Sequence, residues 1–444
     1  MRARTCDAVV VGAGFAGLVA ARELAARGRE VIVLEARDRV GGRAWTAPGR
    51  LAGADLEMGA QFFSWSHRYT SAEVRRHGVD TEDFDAAELL PTRWVTDAGF
   101  RSSNGPDIGP TDAAAIEDLI VVVREAAAKV EPGRPWLEGL TPEEASSLDA
   151  SIRTHLTEAG IAPNVVETLG LLLGAHLVTD SLAERSMLHL AALAAVNGGL
   201  TGYLGGEDYL LADGTSGLAN RIASELGDDR IHLGSPVRRI RAGPNGVTVT
   251  VDGGDVGASV AVCAVPLAVT PDIEWEPALD PRRVELARSR IGGEGAKLWA
   301  LAEGLPDDFL AVGAGTDLLF LAALGPAPEG GTLVVGFDPG NPDFDLGDTD
   351  AMEAAIGQLA PEATVLAVAG HDWARDPWTR GSGPFYRPGE VTSFQELLTS
   401  PHARTVFAGS ETSLLRPGYV DGAIETGFRA ALEADELLAN TRVA

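Results

Sequence analysis

Lysine is almost missing from this chain of 444 residues: among 36 basic residues only Lys129 and Lys297 are lysines, and arginine supplies the rest. Cysteine is as scarce. Cys6 and Cys263 lie far apart, which excludes a disulfide framework and a cysteine-based metal site and suits a reducing cytoplasm. The histidines form no H-E-x-x-H pattern and no Ser/His/Asp constellation stands out, so no metal site and no triad chemistry is expected. Positive charge is in deficit, with a net charge of −28 and a pI near 4.6, which argues against nucleic acid and anionic membrane surfaces as partners. No apolar signal segment precedes the first strand, since MRARTCDAVVV runs straight into it. The uncharged stretch MLHLAALAAVNGGLTGYLGG contains His189, Asn197 and paired glycines, so it reads as a buried helix followed by a loop, and no membrane span is expected.

The chain exceeds the roughly 250–300 residues at which one core stops growing, so two domains are expected. It opens as a βαβ unit: DAVVVGAG as a strand, a helix from about residue 16 to 27, and EVIVLEA as a second strand. The middle reads as helices, including PEEASSLDASIRTHLTEAG and VVETLGLLLGAHL. After residue 209 a turn and a helix lead into short alternating strands, and the C-terminus returns to strand, loop and helix.

Gly12, Gly14 and Gly17 have the G-x-G-x-x-G spacing, directly after a strand and opening a helix. Gly12 permits the tight turn, Gly14 lets backbone approach a pyrophosphate, and Gly17 lets helix and strand pack closely. Glu35 ends the second strand, where a carboxylate can accept ribose hydroxyls. Arg37 and the run RVGGR follow, with Gly42 allowing another close approach and Arg43 carrying a fixed charge able to meet a phosphate. Here the sequence resembles the flavin-dependent amine oxidase family, which also includes polyamine and L-amino-acid oxidases.

The resemblance continues through LEMGAQFF, SPVRRI, FAGSETS and GYVDGAIETGFRAA, and it implies FAD as cofactor. It places backbone at Gly59, Ala60 and Gln61 beside the flavin, Val237 at the adenine, and Glu411 near the ribityl and pyrophosphate. The helix opening near Val420 and Ala423 would direct its positive end at the flavin's pyrimidine side. Ser382 stands where some members carry the cysteine that attaches FAD, so noncovalent binding is implied. The implied fold is α/β: a Rossmann-like FAD-binding domain from segments 1–80, 205–272 and 389–444, and an α+β substrate domain from 81–204 and 273–388 with helices and an antiparallel sheet.

Lys297 lies in GGEGAKLWALA, where the family places the lysine that holds a water beside flavin N5. A chain that otherwise chooses arginine has a reason for burying this lysine. Tyr419 matches one wall of the family's aromatic cage, whose ring faces attract a cationic amine. The opposite wall departs from the pattern: Gly383 stands where an aromatic is expected, and Phe385 and Tyr386 are candidates to fill the gap. His67, His371 and Trp378 read as structural. The implied reaction passes hydride from a small-molecule amine to the flavin, yields an imine and then a carbonyl compound, and reduces dioxygen to hydrogen peroxide. Alternatives at this stage are an L-amino-acid oxidase, with Arg68 or Arg380 as carboxylate clamp, a flavin desaturase, and a noncatalytic flavin module. Assembly as a homodimer is compatible with the sequence.

Overall fold

The computed structural model describes residues 4–441 apart from 85–92, 97–98, 103–109, 178, 180, 206, 228, 290–294, 314 and 342–343. The valine-rich opening forms the strand Arg4–Val11, buried on both faces at Ala8–Val11 as a central parallel strand should be. It pairs in parallel with Val31–Leu34 on one side and Gly254–Cys263 on the other. The strand Gly254–Cys263 then joins distant parts of the chain. Its first half pairs antiparallel with Gly246–Val251, and its end pairs in parallel with Thr405–Phe407. The resulting sheet has eight strands, which run from the N-terminal unit through 231–276 to the C-terminal block.

Helices Phe15–Ala26 and Val420–Thr441 pack together on this sheet. At Gly427 a Cβ would come 2.6 Å from the Ala16 carbonyl oxygen, so only glycine permits this approach. Helix Arg68–His77 is tied to the first helix by a buried pair, Arg22 donating to both oxygens of Glu73 at 2.6 and 2.7 Å. Glu73→Ala leaves that arginine short of its partner, and we expect a loss of about 3 kcal/mol. A lower urea midpoint with an unchanged m-value would show it.

A second sheet has seven strands, in the spatial order Thr364–Asp372, Ala296–Glu303, Thr332–Phe337, Phe320–Pro326, Leu310–Gly313, Arg93–Thr96 and Gly99–Ser102. It is antiparallel except where Leu310–Gly313 meets Arg93–Thr96. The lysine-bearing strand begins at Ala296, and the residues just before it, 290–294, fall outside the described ones.

The third layer is helical, with a core that includes Leu119, Leu156, Leu169 and Leu190. The segment read as one helix from Pro142 is two, Pro142–Leu148 and Ile152–Glu158. Asp149 stops the first because its carboxylate is drawn into tertiary bonds with Ser186 and Thr392, and Ser151 caps the second. The uncharged stretch forms the buried helix Met187–Val196, but a short helix, Leu200–Leu204, replaces the expected loop. Among the described residues no helix is long and apolar enough to cross a membrane.

Candidate active site

A cavity of about 400 Å³ opens between the two sheets and the helical layer. Of the residues singled out from sequence, Gly12, Gly14, Glu35, Arg37, Gly42, Arg43, Gly59, Ala60, Gln61, Val237, Glu411, Tyr419, Val420 and Ala423 all line it. Segments distant in sequence therefore converge on one space. Gly17 and Lys297 stand behind its wall, and each acts on residues in it.

The glycine turn is built for close approach. Gly12 has a φ of +100°, and a Cβ on Gly17 would lie 1.9 Å from the Gly12 carbonyl oxygen. Gly41 bonds back to the Ala13 carbonyl at 2.9 Å, which lays the RVGGR segment alongside the turn. A Cβ on Gly42 would approach the Gly14 Cα to 3.3 Å. Buried Glu35 accepts from the backbone N–H groups of Ala13 at 2.7 Å and Arg37 at 2.9 Å. Each oxygen retains a lone pair for a hydroxyl ligand. The first helix begins at Phe15 and the last at Val420, and both starts meet the cavity. This cradle fits a dinucleotide: bare backbone where phosphates sit, helix N-termini beside them, and a fixed carboxylate at the strand end.

The two arginines of this region have partners of their own. Arg37 is bidentate on Asp376 at 2.8 Å. Arg43, expected to face a phosphate, reaches Glu411 at 2.7 Å and donates to the Ser382 carbonyl at 2.9 Å and the Ser410 hydroxyl at 3.1 Å. Its position binds the RVGGR segment to the C-terminal block, so its charge is already neutralised.

Lys297 lies in the middle of the second sheet and is 1% exposed. Its Nζ donates to Gln61 Oε1 at 2.6 Å and to the Gly59 carbonyl at 3.1 Å. The rings of Phe62, Trp299 and Phe337 surround it at 5.3–5.9 Å. Burial pushes its pKa down to about 7, although Glu57 and Glu207 pull the other way. A neutral amine that gives two protons to Gly59 and Gln61 keeps its lone pair free to accept a third. The Gln61 side chain was not visible as a partner from sequence, which marked only its backbone.

Lys297 is also one of three donors acting on consecutive carbonyls. Trp299 Nε1 donates to Glu57 O at 2.9 Å, Trp373 Nε1 to Met58 O at 2.7 Å, and Lys297 Nζ to Gly59 O at 3.1 Å. Side chains of the second sheet and the turn after it thus hold the LEMGA segment at the cavity wall.

Tyr419 stands opposite, its ring edge-on to His67 at 5.4 Å. His67 is not remote from the site: it lines the cavity, accepts from the Ser64 N–H, and is held neutral by burial, with a pKa near 3. Trp378 likewise lines the cavity instead of the core, whereas His371 braces Asp376 at 3.0 Å. Phe385, not Tyr386, borders the cavity. It lies 3.8 Å from a Cβ built on Gly383, while Tyr386 is buried in the helical core with its hydroxyl on the Glu411 carbonyl. Glu207 also lines the cavity; no motif marked it in the sequence.

Comparison with known proteins agrees with this geometry. The family model described as flavin containing amine oxidoreductase matches residues 15–434. A pseudooxynicotine dehydrogenase of a Pseudomonas species is 29% identical over 430 residues, covering 95% of this chain and 84% of that protein. A putrescine oxidase of Kocuria rosea is 30% identical over 461 residues, covering 96% and 94%. A solved putrescine oxidase bound to putrescine superposes with a TM-score of 0.84 at 24% identity, covering 97% of this chain and 99% of the other. The match over almost the whole length, with the cofactor cradle lining the cavity and the buried lysine bonded to its wall at Gly59 and Gln61, shows that the chain belongs to the flavin-containing amine oxidoreductases.

Proposed function

We propose that this chain is an FAD-dependent oxidase of a small-molecule amine and holds FAD without a covalent bond. The observation that carries this reading is the convergence on one cavity of the cradle at Gly12, Gly14 and Gly42, the Lys297–Gln61 pair, and the aromatic wall at Tyr419. In this reading Glu35 holds the ribose, Val237 backs the adenine, Gly59, Ala60 and Gln61 border the flavin ring, and Glu411 faces the ribityl chain. The helix start at Val420–Ala423 favours negative charge on the ring. The bound isoalloxazine supplies acceptance of hydride from the amine's α-carbon and its delivery to dioxygen, which leaves as hydrogen peroxide. Gln61 and Gly59 hold Lys297 where its lone pair accepts a hydrogen bond from a water, and Tyr419 orients the amine. Hydrolysis of the imine product gives the carbonyl compound.

Noncovalent binding is supported because no cysteine lines the cavity and both thiols are buried in the sheet, raised by burial to about 12 at Cys6 and about 11 at Cys263. Two reduced thiols suit the cytoplasm. The names of the two relatives support an amine substrate.

An amino-acid substrate needs a cation for its carboxylate, and the geometry disfavours one. Among the described residues Arg37, Arg43 and Arg238 line the cavity, and each already meets an acid. Arg68 and Arg380 do not line it. A peroxide-coupled assay over neutral amines and L-amino acids tests the reading. Peroxide from amines supports it, and peroxide from amino acids alone overturns it.

Gly383 lines the cavity without a side chain, and a Cβ placed there meets Gly418 and Phe385 at ordinary contact distances of 3.6–3.9 Å. Gly383→Tyr therefore fills space used by a bulky substrate. We expect the ratio of kcat/KM for bulky over slender amines to fall about tenfold, near 1.4 kcal/mol.

A further inference from the structure

Among the described residues four acidic ones line the cavity: Glu35, Glu207, Asp272 and Glu411. Three are already engaged: Glu35 by the backbone N–H groups of Ala13 and Arg37, Asp272 by Arg380, and Glu411 by Arg43. Glu207 is different. Among the described residues it has no hydrogen-bond or ion-pair partner, and it lines the cavity with Tyr203 and Tyr419 as electrostatic neighbours. Lys297 is the cation close enough to influence it, and Lys297 spends its protons on Gln61 and Gly59. An unpaired carboxylate facing an aromatic-walled space is costly to keep charged unless a ligand supplies the countercharge.

Three kinds of ligand group can be set against this carboxylate. A substrate carboxylate is repelled. A reacting ammonium is attracted, but a carboxylate at that nitrogen holds it protonated, and a protonated nitrogen cannot support loss of hydride from its α-carbon. A second basic nitrogen suffers neither penalty: its charge stays on throughout the reaction, and the surrounding ring faces favour it too. We propose that Glu207 receives a second, non-reacting basic nitrogen, so that the preferred substrates are diamines.

This inference rests on the amine-oxidase reading. Burial pushes the Glu207 carboxyl up to about 7, with Lys297 opposing, so an arriving cation is also what draws it into its ionised form. The neighbouring phenols, Tyr203 and Tyr419, are themselves raised by burial and stay protonated as hydrogen-bonding partners.

The test compares a homologous series of α,ω-diamines with the matching n-alkylamines on the FAD-loaded enzyme, its Glu207→Gln variant and its Glu207→Asp variant. Flavin content reports whether each variant has folded. For the native enzyme we expect kcat/KM at the best chain length to favour the diamine by about tenfold or more, an order of magnitude common for one charged contact. Glu207→Gln brings that ratio close to unity. Glu207→Asp keeps the preference and moves the optimum to a longer diamine, because the carboxylate is withdrawn by one methylene; a merely structural role would not shift chain length. No diamine preference in the native enzyme, or the same preference in Glu207→Gln, overturns the role of Glu207. If the glutamine variant does not fold, an unmoved optimum in the aspartate variant overturns it. Failure of both series to reduce the flavin overturns this inference, and the amine reading falls with it only if no other amine reduces the flavin either.

Discussion

Lys297→Met keeps its FAD and slows flavin reduction, reoxidation or both by at least tenfold, a barrier change of about 1.4 kcal/mol. The methionine fills the same buried volume among Phe62, Trp299 and Phe337. What is lost is the nitrogen that donates to Gln61 and Gly59 on the cavity wall. Rapid-mixing measurements of the two half-reactions separate the steps. The pH dependence follows from burial. Lys297 is neutral above a pH of about 7, so the native rate rises through that pH and the methionine variant lacks this component of the rise. The sign for stability is the same. The folded pKa lies below the unfolded value of about 10.4, so the unfolded chain binds more protons between the two. This residue's contribution to stability therefore grows as pH rises through that window, and Lys297→Met lacks that slope.

Gly59→Ala is expected to purify with little or no flavin and to lose activity in proportion. A Cβ there lies 1.8 Å from the Arg43 carbonyl oxygen and 3.1 Å from Trp373. The first contact is with backbone, so no side-chain rotation relieves it, and the segment must move. That movement breaks the row of bonds from Trp299, Trp373 and Lys297 to the carbonyls of residues 57–59 and displaces Gln61 with them. Loss of even one such contact corresponds to at least tenfold weaker cofactor binding, about 1.4 kcal/mol. Titration of the apoprotein with FAD measures it. Gly383→Ala, where the nearest atoms lie 3.6–3.9 Å from the added carbon, is the matched control that keeps its flavin.

The cofactor cradle could be read from sequence because its residues are local. Gly12, Gly14, Gly17 and Glu35 lie within one βαβ unit, and each is dictated by backbone geometry that a spacing rule captures. Lys297 was legible for a different reason, as a lysine in a chain of arginines, inside a strand with no other charge before Glu303. What stayed hidden depends on partners distant in the chain. Nothing local distinguishes the Gln61 side chain from its backbone, and its contact with Lys297 spans two separate segments. Arg43 resembled a free phosphate ligand until Glu411 was placed beside it. Asp149 divides a helix because Ser186 and Thr392 compete for its carboxylate. Phe385 and Tyr386 are adjacent, and only the direction of the chain after Gly383 sends one to the cavity and the other to the core. Glu207 carries no motif at all, and the cavity alone makes it conspicuous.

The most direct test of the central claim is an anaerobic titration of the FAD-loaded enzyme with a panel of amines, following flavin absorbance. At least one neutral amine is expected to bleach the flavin fully and stoichiometrically, and Lys297→Met to approach the same end point more slowly or, once air is admitted, to recover its colour more slowly. A flavin that stays oxidised with every amine, or a methionine variant that matches the native enzyme in both directions, would contradict it.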